Sequence, residues 1–422
     1  MFIGIKELER HKLTLREKLP PGTIDFRTRK FRQGAPLGLQ LSPELQGREV
    51  HRAGWRRSGS AVLLSLLLLT ALGACGGAIP QVESPPSTAP PAPRAFAMGW
   101  APTPVEPTPA SVIATAEAMA PVSEFAILQQ PVPWARLFAG ESLSSLLDEQ
   151  LQLVDFLRRR GMEIVWLVDP LDGLDRTRET PELVAAGRSL LEPPIRSLHE
   201  HWVLEIARRI QPVYLGLASE INTLGAHGNP GLYAEVVDLV NTLTPRIHLI
   251  NPNIRVFVSF QMEDAWQLFP FPPSLVDHFS LIADFDIDAL GLSSYPVFAF
   301  NTPADIPGNY FVRFAQATPL PLILVEGGWN SEDVPPLSSA TPQEQAAFFR
   351  RFEQLLDGVE AELWVMLFFA DINVAAFGLP PEREAVLANF AFMGIVDQTL
   401  APKPAFAVWE RIFSRPHPPP AP

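Results

Sequence analysis

Two glutamates in this sequence are placed where a carboxyl group could do chemistry. Glu326 closes the apolar run Pro321-Leu322-Ile323-Leu324-Val325 and is followed by Gly327-Gly328-Trp329. Glu220 closes a second run, within Leu217-Ala218-Ser219-Glu220-Ile221-Asn222. A carboxylate at the end of an apolar strand is costly to bury unless it has a partner or a task. Two carboxyl groups flanking one bond are what glycosidic hydrolysis needs, one as acid and the other as base or nucleophile. The bland alternative for each is a buried carboxylate bonded to a nearby loop. Other residues at the ends of apolar runs suit a sugar. The amides of Gln129, Asn222 and Gln261 can hold hydroxyls, and the rings of Trp100, Tyr295 and Trp329 can stack on sugar faces or simply pack. Asp169 and Asp371 read as caps on the turns that follow them.

The elements that must position these groups alternate along the chain. Short β-rich runs are predicted at 95–100, 124–129, 163–169, 213–219, 255–261, 289–294, 320–326 and 362–369. Helical patterns lie between and after them, at 111–120, 143–160, 195–210, 232–249, 275–284, 304–315, 342–356 and 382–392. Eight strand–helix units imply an α/β fold, a single (β/α)8 TIM barrel, in which functional residues gather at the C-terminal strand ends. A doubly wound sheet is the alternative, but Gly99-Trp100-Ala101-Pro102 is not the Gly-rich turn expected after its first strand. In a barrel, the fourth and seventh strand ends face each other across the mouth, which would set Glu220 opposite Glu326.

Composition removes several chemistries. Lys403 is the only lysine after Lys30, so no strand end offers a Schiff-base lysine. The strand ends as read hold no Lys, Arg or His. His199-Glu200-His201 would point its histidines to different helix faces, and no His-x-His stands on the first strand. No Gly-rich phosphate loop follows the seventh or eighth strand. No metal and no cofactor are therefore expected. Residues 1–60 carry 13 basic and 6 acidic side chains, and the remainder carries 20 and 40. An acidic body argues against nucleic acid as a partner. No periodic oligomer interface is visible, and a monomer is expected.

The strand-end segments resemble the clan A retaining glycoside hydrolases, nearest to the galactanase-like group. Leu217-Ala218-Ser219-Glu220-Ile221-Asn222 resembles that group's acid/base strand. Leu290-Gly291-Leu292-Ser293-Ser294-Tyr295-Pro296 resembles its sixth strand, whose tyrosine orients the nucleophile. Leu324-Val325-Glu326-Gly327-Gly328-Trp329 resembles its nucleophile strand. The tail Met393-Gly394-Ile395-Val396-Asp397, with Lys403-Pro404-Ala405, resembles a closing segment of such barrels and gives Lys403 a structural role. The resemblance implies a retaining enzyme with Glu326 as nucleophile and Glu220 as acid/base, carboxyls about 5 Å apart. Two departures stand out. The family places Asn before the acid/base Glu, to bind the sugar 2-hydroxyl, and this chain has Ser219 there. Phe368 and Phe369 stand near the position of a usual Trp.

Ahead of the barrel lies an export signal. Arg52, Arg56 and Arg57 precede an apolar run at 61–72, which ends in Leu72-Gly73-Ala74-Cys75-Gly76. This resembles a bacterial lipobox, with Cys75, the single cysteine, as the lipidated mature N-terminus. A transmembrane span would need about 20 apolar residues. The expected organisation is an extension or mis-assigned start at 1–50, a lipoprotein signal at 51–75, a Pro-rich tether at 76–94, a barrel at 95–415 and a disordered tail at 416–422. The protein is then expected on the outer face of the bacterial cell membrane, held by lipid and acting on a poly- or oligosaccharide. A non-catalytic carbohydrate-binding lipoprotein, or a hydrolase for a non-sugar polymer, is the alternative.

Overall fold

The computed structural model of the protein describes residues 92–417. Cys75, the apolar run at 61–72, the N-terminal extension and most of the tether lie outside the described residues. Among the described residues, no helix is long and apolar enough to cross a membrane.

Eight strands close a parallel barrel. They are β1 (Ala97–Trp100), β2 (Phe125–Gln129), β3 (Glu163–Leu167), β6 (Tyr214–Gly216), β7 (Arg255–Gln261), β8 (Ala289–Ser294), β9 (Leu322–Gly327) and β10 (Leu363–Met366). Their order around the ring is β1, β10, β9, β8, β7, β6, β3, β2. Each expected strand is present, several of them trimmed at the ends, and the doubly wound alternative is set aside. Side-chain alternation divides the core in two. Ile127, Val165, Leu167, Phe257, Ile323, Val325, Leu363 and Val365 point inward and fill the barrel. Their neighbours Leu128, Trp166, Val258, Leu324 and Trp364 point outward, against the helices.

The long helices follow their capping signals. Thr108 and Ser142 cap α1 (Pro109–Met119) and α2 (Leu143–Arg158) with side-chain oxygens, and α3 spans Pro193–Arg209. After β6, α4 (Ile221–His227) precedes α5 (Pro230–Ile250), which Asn229 caps. Further on come α6 (Met262–Ala265), α7 (Val312–Ala317), α8 (Pro342–Asp357), α9 (Pro381–Ala388) and α10 (Pro404–Phe413). Two expected helices are corrected. The segment 275–284 forms only the 3-10 turn Ser280–Asp284, and Leu275 is fully exposed. The segment 304–315 is broken at Pro307-Gly308, leaving a 3-10 turn at Pro303–Asp305 and then α7.

Besides short helices such as α4 and α6, two further elements were not anticipated. α10 closes the barrel, burying Trp409 against Trp100 and Trp364. Its indole N–H donates to Val122 O at 2.9 Å. Lys403, ahead of α10, bonds Asp371 at 2.7 Å and Ser331 at 2.9 Å, which is the structural role expected of it. The second element is an antiparallel hairpin after β3, formed by β4 (Leu171–Asp172) and β5 (Asp175–Glu179). At the C-terminal end, Pro416 O accepts from Arg94 N at 2.9 Å.

Candidate functional site

Glu220 and Glu326 open into one cleft of about 550 Å³. Each is aimed there by a local irregularity. Glu220 adopts a left-handed backbone, φ +49°, at the N-cap of α4. That conformation is unfavourable for a residue with a Cβ and is held by its surroundings. Here Ser259 Oγ accepts from the Glu220 N–H at 2.9 Å. Glu326 sits where the β8–β9 register shifts, so that Ser293 pairs with Glu326. Gly327 makes this possible. A Cβ on it would lie 2.4 Å from Ser294 O, and its φ is +156°.

Three groups hold the pair. Ser293 Oγ donates to Glu220 Oε1 at 2.6 Å, and Tyr295 O–H donates to Glu326 Oε1 at 2.8 Å. The third is Arg176 of β5. Its Nε donates to Glu220 Oε2 at 3.0 Å, and its Nη2 lies 3.9 Å from Glu326 Oε2. Its Nη1 pairs with Asp169, which also accepts from the Leu171 N–H at 3.1 Å. Asp169 is thus both a turn cap and an anchor for Arg176. All four charged groups are largely buried, so their interactions are weakly screened. Burial and the neighbouring Glu220 charge push Glu326 up to about 7, while Arg176 and the Tyr295 hydroxyl pull the other way. Burial and the Glu326 charge push the Tyr295 phenol well above its ordinary value, so it remains a donor.

A third carboxyl group reaches the cleft. Glu263, in α6, accepts from Ser294 Oγ at 2.8 Å and Tyr310 O–H at 2.5 Å, and its Oε2 has no partner. Burial raises its pKa. Three consecutive residues at the end of β8 therefore donate hydroxyls to three different glutamates. Phe271, Phe298 and Phe390 supply the apolar walls.

The other expected site residues divide. Tyr295 and Gln261 line the cleft, and the Gln261 amide oxygen also accepts from the Asp264 N–H at 3.1 Å. Trp100 and Trp329 are corrected as sugar platforms, because both are fully buried. Trp100 packs 4.5 Å from Trp409, and Trp329 stacks on Phe348 at 5.9 Å between ring centroids. Gln129 lies away from the cleft, beside Thr103 and Phe368 in a small separate hollow. Asn222 is buried and structural. It accepts from the Gln261 N–H at 2.7 Å and donates to Gln261 O at 3.0 Å. Ser219 is buried, with its hydroxyl 3.3 Å from Ser259 Oγ.

The C-terminal ends of the barrel strands hold no arginine, and the one that serves the site comes from outside them. Arg176 comes from the β4–β5 hairpin, outside the strand–helix alternation. The signal for it was Asp172-Gly173, a turn dipeptide after the third strand.

One cluster has metal-ligand residue types. His227, Asp264 and His278 bring ligand atoms within 4.8 Å of one another. His227 Nε2 bonds Asp264 Oδ1 at 2.9 Å, and Thr223 donates to Asp264 Oδ2 at 2.9 Å. Asn222 decides the fit. Its Nδ2 and Oδ1 are fixed by the Gln261 backbone, so Nδ2 must donate to His278 Nδ1, 3.0 Å away. The neutral His278 ring then carries its hydrogen on Nε2, the atom that would have to ligate. The cluster fits a hydrogen-bonded support for the cleft wall rather than a metal centre. His199 is buried with both ring nitrogens unpartnered, while His201 is exposed.

No family model and no curated protein matches the chain. Solved structures share its barrel at low identity. One is an exo-beta-1,4-mannosidase from Opitutaceae bacterium strain TAV5, 16% identical with a TM-score of 0.57 over 75% of this chain. This chain covers 59% of that one, a little under two thirds of its length. A second is a GH5_18 protein from Streptomyces cattleya in complex with Manb1-4GlcNAc, 16% identical, TM-score 0.56, covering 77% of this chain and 81% of that one. A third is a GH53 catalytic domain from Ignisphaera aggregans, 14% identical, TM-score 0.50, covering 71% and 88%. These likenesses show the fold alone, a closed (β/α)8 barrel that this chain shares with them.

Proposed function

We propose that the protein is a retaining glycoside hydrolase acting on a poly- or oligosaccharide. Glu326 would attack the anomeric carbon while Glu220 protonates the leaving oxygen, and Glu220 would then activate water. The observation that carries this reading is one guanidinium bonded to the Glu220 carboxylate and 3.9 Å from that of Glu326, at the C-terminal mouth of a barrel. Such a shared partner favours a closely set pair over the wider pair of an inverting enzyme, which leaves room for a water. Tyr295 would hold Glu326 in line. Phe271, Phe298 and Phe390 would provide apolar faces for sugar rings. The carbohydrates named for the matching solved structures support a sugar substrate.

The protein is further proposed to act outside the cell, tethered by lipid on Cys75. Metabolic labelling with a fatty-acid probe tests this, since Cys75→Ala should abolish the label.

For the activity, the test is a panel of aryl glycosides and oligosaccharides, with the first-formed anomer followed by NMR. Release of product with retained configuration, lost in Glu326→Gln, is expected. Inversion would rule out double displacement. The competing reading, a non-catalytic carbohydrate-binding protein, is favoured by one observation. Ser219 turns away from the cleft, so it supplies no sugar contact. Binding without cleavage, equal in the native protein and Glu326→Gln, would establish that reading instead.

A further inference from the structure

Arg176 makes two directed contacts, and they leave one of its nitrogens unpartnered. Nε is taken by Glu220 and Nη1 by Asp169, while Nη2 has no hydrogen-bond partner among the described residues. Nη2 lies 3.9 Å from Glu326 Oε2, too far for a hydrogen bond, and it is not among the fully enclosed unpartnered atoms. The other cleft-lining arginines are occupied differently. Arg383 makes a two-pronged pair with Asp172, and Arg178 pairs with Asp172 and Asp175. The open donor of Arg176 therefore stands beside the two glutamates, on a guanidinium fixed at two other corners.

We propose that Arg176 is a specificity-determining residue, whose Nη2 donates to the sugar hydroxyl next to the anomeric carbon. The inference rests on the glycosidase reading above. Glu326 must meet the anomeric carbon, and Glu220 must meet the glycosidic oxygen attached to it. A donor tied to Glu220 and beside Glu326 is then nearest to the substituent on the adjoining ring carbon. A hydrogen bond to that hydroxyl can strengthen in the transition state. Ser219, buried against Ser259, does not compete for it. The three carboxylates already around Arg176 leave no surplus positive charge. The contact therefore selects a hydroxyl and not an acidic substituent.

The test is a pair of glycosides, matched except for the hydroxyl beside the anomeric carbon, chosen from whichever sugar the panel shows to be cleaved. Each is assayed with the native protein, Arg176→Lys and Arg176→Met. The native preference for the hydroxylated glycoside, as a ratio of kcat/KM, should shrink in Arg176→Met by roughly 10- to 150-fold, the range for a hydrogen bond to a charged group. Arg176→Lys should lose part of it. Using ratios cancels the different intrinsic reactivity of the two glycosides. An unchanged ratio in a folded variant overturns the proposal while leaving the glycosidase reading intact. Should both variants fail to fold, the complex of Glu326→Gln with uncut substrate decides instead. Nη2 within about 3.2 Å of the hydroxyl supports the contact, and any other partner for Nη2 overturns it. If the native protein neither cleaves nor binds any glycoside, both readings fail together.

Discussion

Replacing Glu326 with glutamine should stabilise the protein, and by an amount that depends on pH. In the folded protein burial and Glu220 hold the Glu326 carboxyl up to about 7, against an ordinary value of 4.5. Below pH 4.5 both folded and unfolded chains keep the proton, and nothing is lost. Between 4.5 and 7 the unfolded chain has released it while the folded one retains it, so stability falls as pH rises. Above 7 the folded protein carries a buried charge at its full cost. At 1.36 kcal/mol per pH unit, the span from 4.5 to about 7 corresponds to about 3 kcal/mol. Glutamine keeps the shape and the acceptor for Tyr295 but has no proton to lose. Glu326→Gln should therefore match the native protein at pH 4 and exceed it by up to about 3 kcal/mol at pH 8. For about 320 described residues, an unfolding entropy near 2.1 cal/mol/K per residue turns this into about 4 °C in melting temperature. Thermal melts of both proteins from pH 4 to 8 provide the assay. A stabilisation that does not grow with pH, or a variant less stable than the native protein at pH 8, would refute the electrostatic account of the cleft.

Three other predictions come from the same structure. Gly327→Ala places a Cβ 2.4 Å from Ser294 O in a backbone that disfavours it, so it should destabilise by roughly 1–3 kcal/mol and reduce kcat by displacing Glu326; native-like melting with full activity would contradict the role of the bulge. Lys403→Met leaves Asp371 buried without its cation and should cost roughly 3–5 kcal/mol at pH 8. Because burial already holds Asp371 up to about 6, the deficit should shrink at pH 5, where the carboxyl is protonated; denaturant melts at the two pH values check this. Zinc added to the native protein should leave the melting temperature unchanged, because Asn222 fixes the His278 hydrogen on Nε2. A rise with zinc that disappears in His278→Ala would show the tautomer argument to be wrong.

The barrel was legible in the sequence because its signals are local. Each strand is a short apolar run, several of them with a polar residue at or next to the end, such as Gln129, Gln261, Ser294 or Glu326, and three helices open on a capping residue followed by proline, at Thr108-Pro109, Asn229-Pro230 and Thr341-Pro342. The glutamates and Tyr295 were legible for the same reason, as polar groups at strand ends. The burial of the tryptophans follows from geometry beyond the residue type, in Trp100 from the two-residue alternation of a strand. Ala97 points into the barrel, so Trp100, three residues on, must point out toward the helices. Trp329 follows two glycines that carry the chain away from the barrel axis, and its ring meets Phe348 on α8. Arg176 and Phe390 reach the cleft from a hairpin and from the segment after α9. Only tertiary structure brings those segments to the strand ends. The helix expected at 304–315 is interrupted at Pro307, whereas 275–284 holds no proline and still forms only the 3-10 turn Ser280–Asp284.

The central claim is a covalent intermediate on Glu326, and trapping it is the most direct measurement. A slow-turnover fluorinated glycoside of a sugar the protein accepts should add one glycosyl mass to the intact protein. Peptide mapping should place that mass within Leu322–Gly327, on Glu326. Labelling at another carboxylate, or glycoside turnover that survives Glu326→Gln undiminished, would contradict the account.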